Sequence, residues 1–122
     1  MDSRKEIKRA YKQRKKPVGI FQVKNTVNGK VLLGSSLNLE GVFNGHRFKL
    51  SIGRHPNRDL QRDWNEYGPG GFVFETLELV KEKDDPNFDV NDELTLLEQI
   101  WLEKLQPFGE RGYNTGAHIR QV

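Results

Sequence analysis

Two side chains in this 122-residue chain combine reactive chemistry with an unusual setting. Glu98 lies in the apolar stretch LLEQIWLEKL. At about 100° per residue, Leu94, Leu97, Trp101 and Leu105 of that stretch fall within roughly 80° of arc, and Glu98 sits in the same sector, between Leu105 and Leu102. A carboxylate turned toward a core needs a cation, a divalent metal or strong hydrogen bonds, because burying it unpaired is costly. At the rim of the core it would reach water instead, and both readings stay open. His46 shares a helical stripe with Leu39, Phe43 and Leu50. An imidazole, with an ordinary pKa of about 6.5, suits a general base at neutral pH and equally a hydrogen-bonded structural role.

The remaining chemistry is electrostatic. Residues 1–17 hold eight Lys or Arg against Asp2 and Glu6, a net +6, whereas the rest of the chain holds twelve basic and fifteen acidic residues, a net −3. A basic arm of this kind attracts phosphate by counterion release, although solubilising helices have similar compositions. Candidate nucleic-acid contacts are Arg4, Lys8, Arg9, Lys12, Arg14, Lys15 and Lys16 of the arm, together with Arg47, Lys49, Arg54, Arg58 and Arg62. Binding through such contacts requires no cofactor, and it serves DNA or RNA alike. For the cluster from Arg47 to Arg62, a solvated surface is the alternative.

The elements that must position these residues are legible from periodicity and turn chemistry. Ile7 and Tyr11, four apart among basic residues, suit a short amphipathic helix that Pro17 ends. A β-hairpin follows, with strands over 18–24 and 30–34 joined at Asn28-Gly29, a strong short-range hairpin signal. A two-residue turn there pairs residues whose numbers sum to 57 and places Phe21, Val23, Asn25, Leu32, Gly34 and Ser36 on one face. Ser35, Ser36 and Asn38 offer capping oxygens for a helix over 39–50. A second helix opens at Pro56 or Asn57 and stops at Gly68-Pro69, with Leu60 and Trp64 as its buried stripe. Residues 72–80 form a third strand, 81–92 an acidic solvated connection, and 92–105 the last helix.

Length supports one domain with one core. With no cysteine, no apolar run of membrane-spanning length and no signal-peptide pattern, the expectation is an intracellular, cytoplasmic protein without a membrane partner. The domain reading is a basic arm over 1–16, a globular domain over 17–114 and a tail over 115–122.

The ordered motifs resemble the GIY-YIG nuclease superfamily. Gly19-Ile20-Phe21 stands at its first motif and Leu32-Leu33-Gly34 at its second, followed by SSLNL. DWNEYGPGGFVFETL is similar to its second helix and third strand, and LLEQIWLEKLQP with Gly112-Tyr113-Asn114 to its closing motifs. The resemblance implies an α/β (α+β) fold with a small three-stranded antiparallel sheet flanked by helices, and phosphodiester cleavage with one divalent metal, Mg2+ or Mn2+. It matches Glu98 to the family's metal-holding glutamate, Asn114 to its closing asparagine and His46 to its histidine. It places Phe21 and Leu32 where the family has tyrosines, and Val42 where it has the catalytic arginine. A ring without a hydroxyl, and two aliphatic chains, cannot ionise or clamp a phosphate. The expectation is a nucleic-acid-binding domain impaired as a nuclease. Its alternatives are an endonuclease with an altered site built on His46, Glu98 and Asn114, and a module whose apolar hairpin face docks a protein partner.

Overall fold

The computed structural model describes residues 16–81 and 83–115. The arm residues 1–15, Glu82 and the tail from residue 116, including the arm contacts expected at Arg4, Lys8, Arg9, Lys12, Arg14 and Lys15, lie outside the described residues. The elements run β1 (Gly19–Asn25), β2 (Val31–Ser36), α1 (Leu39–Ser51), α2 (Arg58–Tyr67), β3 (Phe72–Leu79) and α3 (Val90–Leu105). Short 3-10 turns at Pro69–Gly71 and Gly109–Arg111 complete the order. The sheet is antiparallel throughout, in the order β2-β1-β3.

Caps fix the helix starts. The Asn38 side chain accepts from Gly41 N at α1, and the Asn57 side chain accepts from Leu60 N at α2. Asp89 accepts from the Asn91 and Asp92 amides, so α3 begins at Val90, two residues earlier than periodicity places it.

The hairpin corrects the expected register. Partners are Phe21 with Gly34, Gln22 with Leu33 and Val23 with Leu32, so paired numbers sum to 55 rather than 57. The reason is Asn25. Its backbone closes the ladder against Lys30, with Asn25 N donating to Lys30 O at 2.8 Å. Its side-chain oxygen accepts from Val27 N at 2.9 Å, drawing the next residues into a longer loop over 26–29. Gly29 ends that loop at φ 82°, a conformation glycine adopts without steric cost. Because the slip is two residues, every side chain keeps its face.

With parity kept, the sheet divides the core. On one face, Phe21 and Val23 pack with Leu39, Leu50, Leu60, Phe72 and Tyr113 beneath α1 and α2. On the other, Ile20 and Leu33 pack with Leu94 and Leu102 of α3. The strand edges differ. The outer edge of β2 is closed by the returning chain, through a parallel bridge from Val31 to Gly112 and a Tyr113 N to Val31 O bond of 2.9 Å.

Candidate functional site

The strand β2 organises the site, since residues 32–35 each touch, or line a cleft with, a residue singled out from sequence. At Gly34 the chain lacks a side chain because the Phe21 ring lies across it. A Cβ there would sit 2.7 Å from Phe21 Cζ. Phe21 is only 4% exposed, packed edge-on against Phe43 at 5.7 Å between ring centroids and tilted against His46 at 5.5 Å. Val42 and Leu32 pack at the margin of the same cluster. The apolar hairpin face is therefore core. Phe21 is buried by the domain's own helices, whereas Leu32 is half-buried at the margin.

Asn114 uses its whole amide on β2. Leu33 N donates to Asn114 Oδ1 at 2.8 Å, and Asn114 Nδ2 donates to Leu33 O at 2.9 Å. The side chain thereby supplies one rung to the edge of the sheet. Next along β2, the Ser35 hydroxyl donates to Glu98 Oε1 at 2.8 Å. Glu98 is half-buried on α3, as the helix arithmetic places it, and hydrogen bonding meets part of its need. No group of three or more His, Cys, Asp or Glu that could hold a metal occurs among the described residues.

His46 has a partner that periodicity does not reveal. Its Nδ1 lies 2.8 Å from Nε2 of His55, which the chain buries in the loop between α1 and α2. Asn57 N donates to His55 Nδ1 at 3.0 Å, so that nitrogen carries no proton. In the neutral pair the proton of His55 then sits on Nε2 and points at His46 Nδ1, which leaves the His46 proton on Nε2. His46 thus presents a donor rather than a ready proton acceptor. Adding a proton to either ring breaks one of these bonds. Burial, with smaller contributions from His55 and Lys49, lowers the His46 pKa from 6.5 to about 4. Burial and Lys49 also push His55 down.

A stability consequence follows from that depression. Between about pH 6.5 and pH 4 the unfolded chain binds a proton at His46 that the folded chain does not, so stability rises with pH across this window. Acidification from pH 7 to pH 4 is expected to destabilise the wild type more than His46→Gln. Parallel denaturant titrations check this, and equal pH dependence in both proteins would contradict it.

The loop carrying His55 is held from beneath. Gln61 Oε1 accepts from His55 N at 3.0 Å, and Gln61 Nε2 donates to Leu50 O at 3.0 Å. Asn57 Nδ2 donates to Tyr113 O at 2.7 Å. A cleft of about 500 Å³ opens beside this loop, lined by residues including Leu32, His55, Asn57, Arg58, Tyr113 and Asn114. Arg58, expected only as a surface phosphate contact, therefore stands at the same cleft as Leu32, His55 and Asn114. Lys16, Lys49, Arg54 and Arg62 are exposed, Arg62 pairing with Asp59 at 3.3 Å. Arg47 stands away from this cleft and lies over the Phe74 ring, 4.3 Å from its centroid.

Tyr113 offers no free hydroxyl to the cleft it lines. It is 2% exposed, and its hydroxyl donates to Asp63 Oδ2 at 2.7 Å and accepts from Asn25 Nδ2 at 3.0 Å. Burial, reinforced by the Asp63 carboxylate, pushes its pKa above the usual tyrosine value. It is a structural hydroxyl.

No family model matches the chain. Over 69 residues, 54% of this chain, it is 41% identical to intron-associated endonuclease 1 of Enterobacteria phage T4. The match spans 27% of that protein's length. Among solved structures, the catalytic domain of the homing endonuclease I-TevI superposes with a TM-score of 0.64 at 32% identity, over 80% of this chain and 96% of that domain. A mutant of the same domain superposes with a TM-score of 0.65 at 31% identity, over 80% and 92%. The chain belongs to the GIY-YIG nuclease family. Its three-stranded antiparallel sheet and three helices are the fold of that catalytic domain. Within this GIY-YIG domain, β2 holds Asn114 at Leu33 and Glu98 at Ser35, and the loop after α1 brings His55 to His46. No helix among the described residues is long and apolar enough to cross a membrane.

Proposed function

We propose that this GIY-YIG domain binds nucleic acid through its basic surface and cleaves phosphodiesters slowly or not at all. The observation that carries the reading is the hydrocarbon at three positions that the family resemblance assigns to reacting groups. Phe21 is buried against His46 and Phe43, and Leu32 and Val42 pack on the same core. None offers a hydroxyl to activate a nucleophile or a cation to steady a phosphate. Tyr113, the buried tyrosine nearby, has its hydroxyl committed to Asp63.

Binding rests on Lys16, Lys49, Arg54 and Arg58, which are exposed to solvent, together with the basic arm that precedes them in the chain. Counterion release makes such binding strongly salt-dependent, with a log–log slope of about −0.9 per phosphate neutralised on duplex DNA. Replacing Lys49 and Arg54 by glutamine is expected to reduce that slope by about 1 for each phosphate no longer neutralised. Fluorescence anisotropy across a salt series, with DNA and RNA of matched length, measures it. Absence of affinity for both at low salt would falsify the binding reading.

One arrangement favours a second reading, a divalent-metal endonuclease with an altered site. His55 of the His46–His55 pair lines a cleft with Arg58 and Asn114, and Glu98 of α3 accepts from Ser35 further along β2. A single carboxylate beside a hydroxyl fits Mg2+ or Mn2+, which takes most of its ligands from water and substrate phosphate. Glu98 would hold the metal, and the metal would supply charge stabilisation at the phosphoryl oxygens. In that reading His46 donates a hydrogen bond from Nε2, and Arg58 provides the cation that Val42 does not. Cleavage abolished by Glu98→Gln supports this alternative; activity that survives the change removes it.

A further inference from the structure

The aromatic side of the domain carries a second groove that the candidate site does not use. It has a volume of about 690 Å³ and is lined by Arg47, Phe48, Trp64, Phe72, Val73 and Phe74, among others. Its floor is a ring cluster. Trp64 lies 5.2 Å from Phe72 and 6.4 Å from Phe74 between centroids. At the rim, Phe48 is 63% exposed, and Val73 of β3 is exposed beside it. A single exposed apolar residue is ordinary, but an exposed ring bordering a half-buried aromatic floor is a stacking surface.

The charge of the groove selects the partner. Arg47 is the sole ionisable residue lining it among the described residues, and the guanidinium lies over the Phe74 ring, which holds a planar cation in place. The groove on the opposite face of the sheet differs, mixing Glu110 with Lys24 and Arg111. Side-chain hydrogen-bonding groups are sparse in the aromatic groove. Ser51 lines it, but its hydroxyl already donates to Phe48 O at 2.8 Å. The flat face of a base needs no such groups, because stacking on aromatic and Arg planes is tolerant of sequence.

We propose that this groove stacks an unpaired base of a single-stranded nucleic-acid segment, with Arg47 toward the adjoining phosphate and Phe48 closing on the base. The proposal rests on the nucleic-acid-binding reading above and assigns the single-stranded part of that partner to a definite surface. Duplex DNA keeps its bases stacked on one another, so it engages the basic residues without entering the groove.

The chain has two tryptophans, so Trp101→Phe leaves Trp64 as the sole indole. In this background a short oligodeoxythymidine strand is expected to quench Trp64 fluorescence, and a blunt duplex of equal length is expected to bind without doing so. Phe48→Ala, at an exposed position, is expected to weaken single-strand binding by about tenfold and leave duplex binding unchanged. Binding of both ligands with no change at Trp64, and no effect of Phe48→Ala, would overturn the groove assignment while leaving the binding reading intact. No affinity for either ligand would overturn both. A Trp64 signal that depends on protein concentration alone, and disappears in Phe48→Ala, would give the groove to a second copy of the chain and overturn the proposal.

Discussion

Asp63→Ala is expected to lower stability by about 2–4 kcal/mol. Asp63 is 6% exposed and accepts from the Tyr113 hydroxyl at 2.7 Å and from Asn28 Nδ2 at 3.3 Å. Arg62 Nε approaches its second oxygen at 3.9 Å. Tyr113 in turn accepts from Asn25 Nδ2, and Asn25 is fully buried at the end of β1. The network therefore ties the hairpin turn, α2 and the C-terminal segment into one unit. Alanine at position 63 leaves a buried hydroxyl without its acceptor, and the gain from removing a buried charge does not offset that loss. Asn at the same position keeps an acceptor and is expected to cost less.

A thermal melt reads this directly. For a domain of about 100 residues each kcal/mol shifts Tm by about 4–8 °C, so Asp63→Ala should melt at least about 8 °C below wild type. Tyr113→Phe removes the orphaned donor, so the double variant Asp63→Ala with Tyr113→Phe should be less destabilised than the two single changes added together. Strict additivity would mean that the two groups do not act as a unit.

The second large effect is a gain. Installing tyrosine at Phe21 and Leu32 together with arginine at Val42 is expected to raise metal-dependent cleavage by at least about 10²-fold over wild type. A general base supplies a factor of about 10² to 10⁴ and a charge clamp about 10² to 10³ where each acts alone, and because the groups act on one transition state the factors do not multiply. The framework for them is retained. Gly34 leaves space for a ring at position 21, Ser35 holds Glu98, and Asn114 braces Leu33. Nuclease assays with Mg2+ and with Mn2+, each accompanied by a Glu98→Gln control, measure the gain. An unchanged rate in a folded triple variant would contradict the proposal that these three side chains limit cleavage.

Much of the scaffold is legible in the sequence because local chemistry and global fold agree. Asn38 and Asn57 cap the helices expected of them, and Gly68 follows α2 with φ 80°. Apolar spacing alone turns Glu98 toward the core, where Ser35 meets it. The hairpin register departs from expectation because turn rules weigh Asn28-Gly29, whereas the competing side chain is Asn25, three residues earlier. The buried polar network is hidden from the sequence for a related reason. Asn25 and Tyr113 are 88 residues apart, and an Asp on an amphipathic helix reads as solvated until its partner is seen. His55 lies in an irregular loop where periodicity says nothing. The signal that points to it is a second histidine nine residues beyond His46, across the end of α1.

On the function proposed above, this GIY-YIG domain holds nucleic acid without cutting it at an ordinary rate. One measurement tests both halves in the same tube: binding and cleavage of labelled DNA and RNA by wild-type protein, with Mg2+ or Mn2+, at low salt, beside Glu98→Gln. The expected result is intact substrate, bound by both proteins, with cleavage no faster in wild type than in the variant or detectable only over long incubation. Rapid wild-type cleavage that Glu98→Gln abolishes would contradict it and establish the altered-site endonuclease instead.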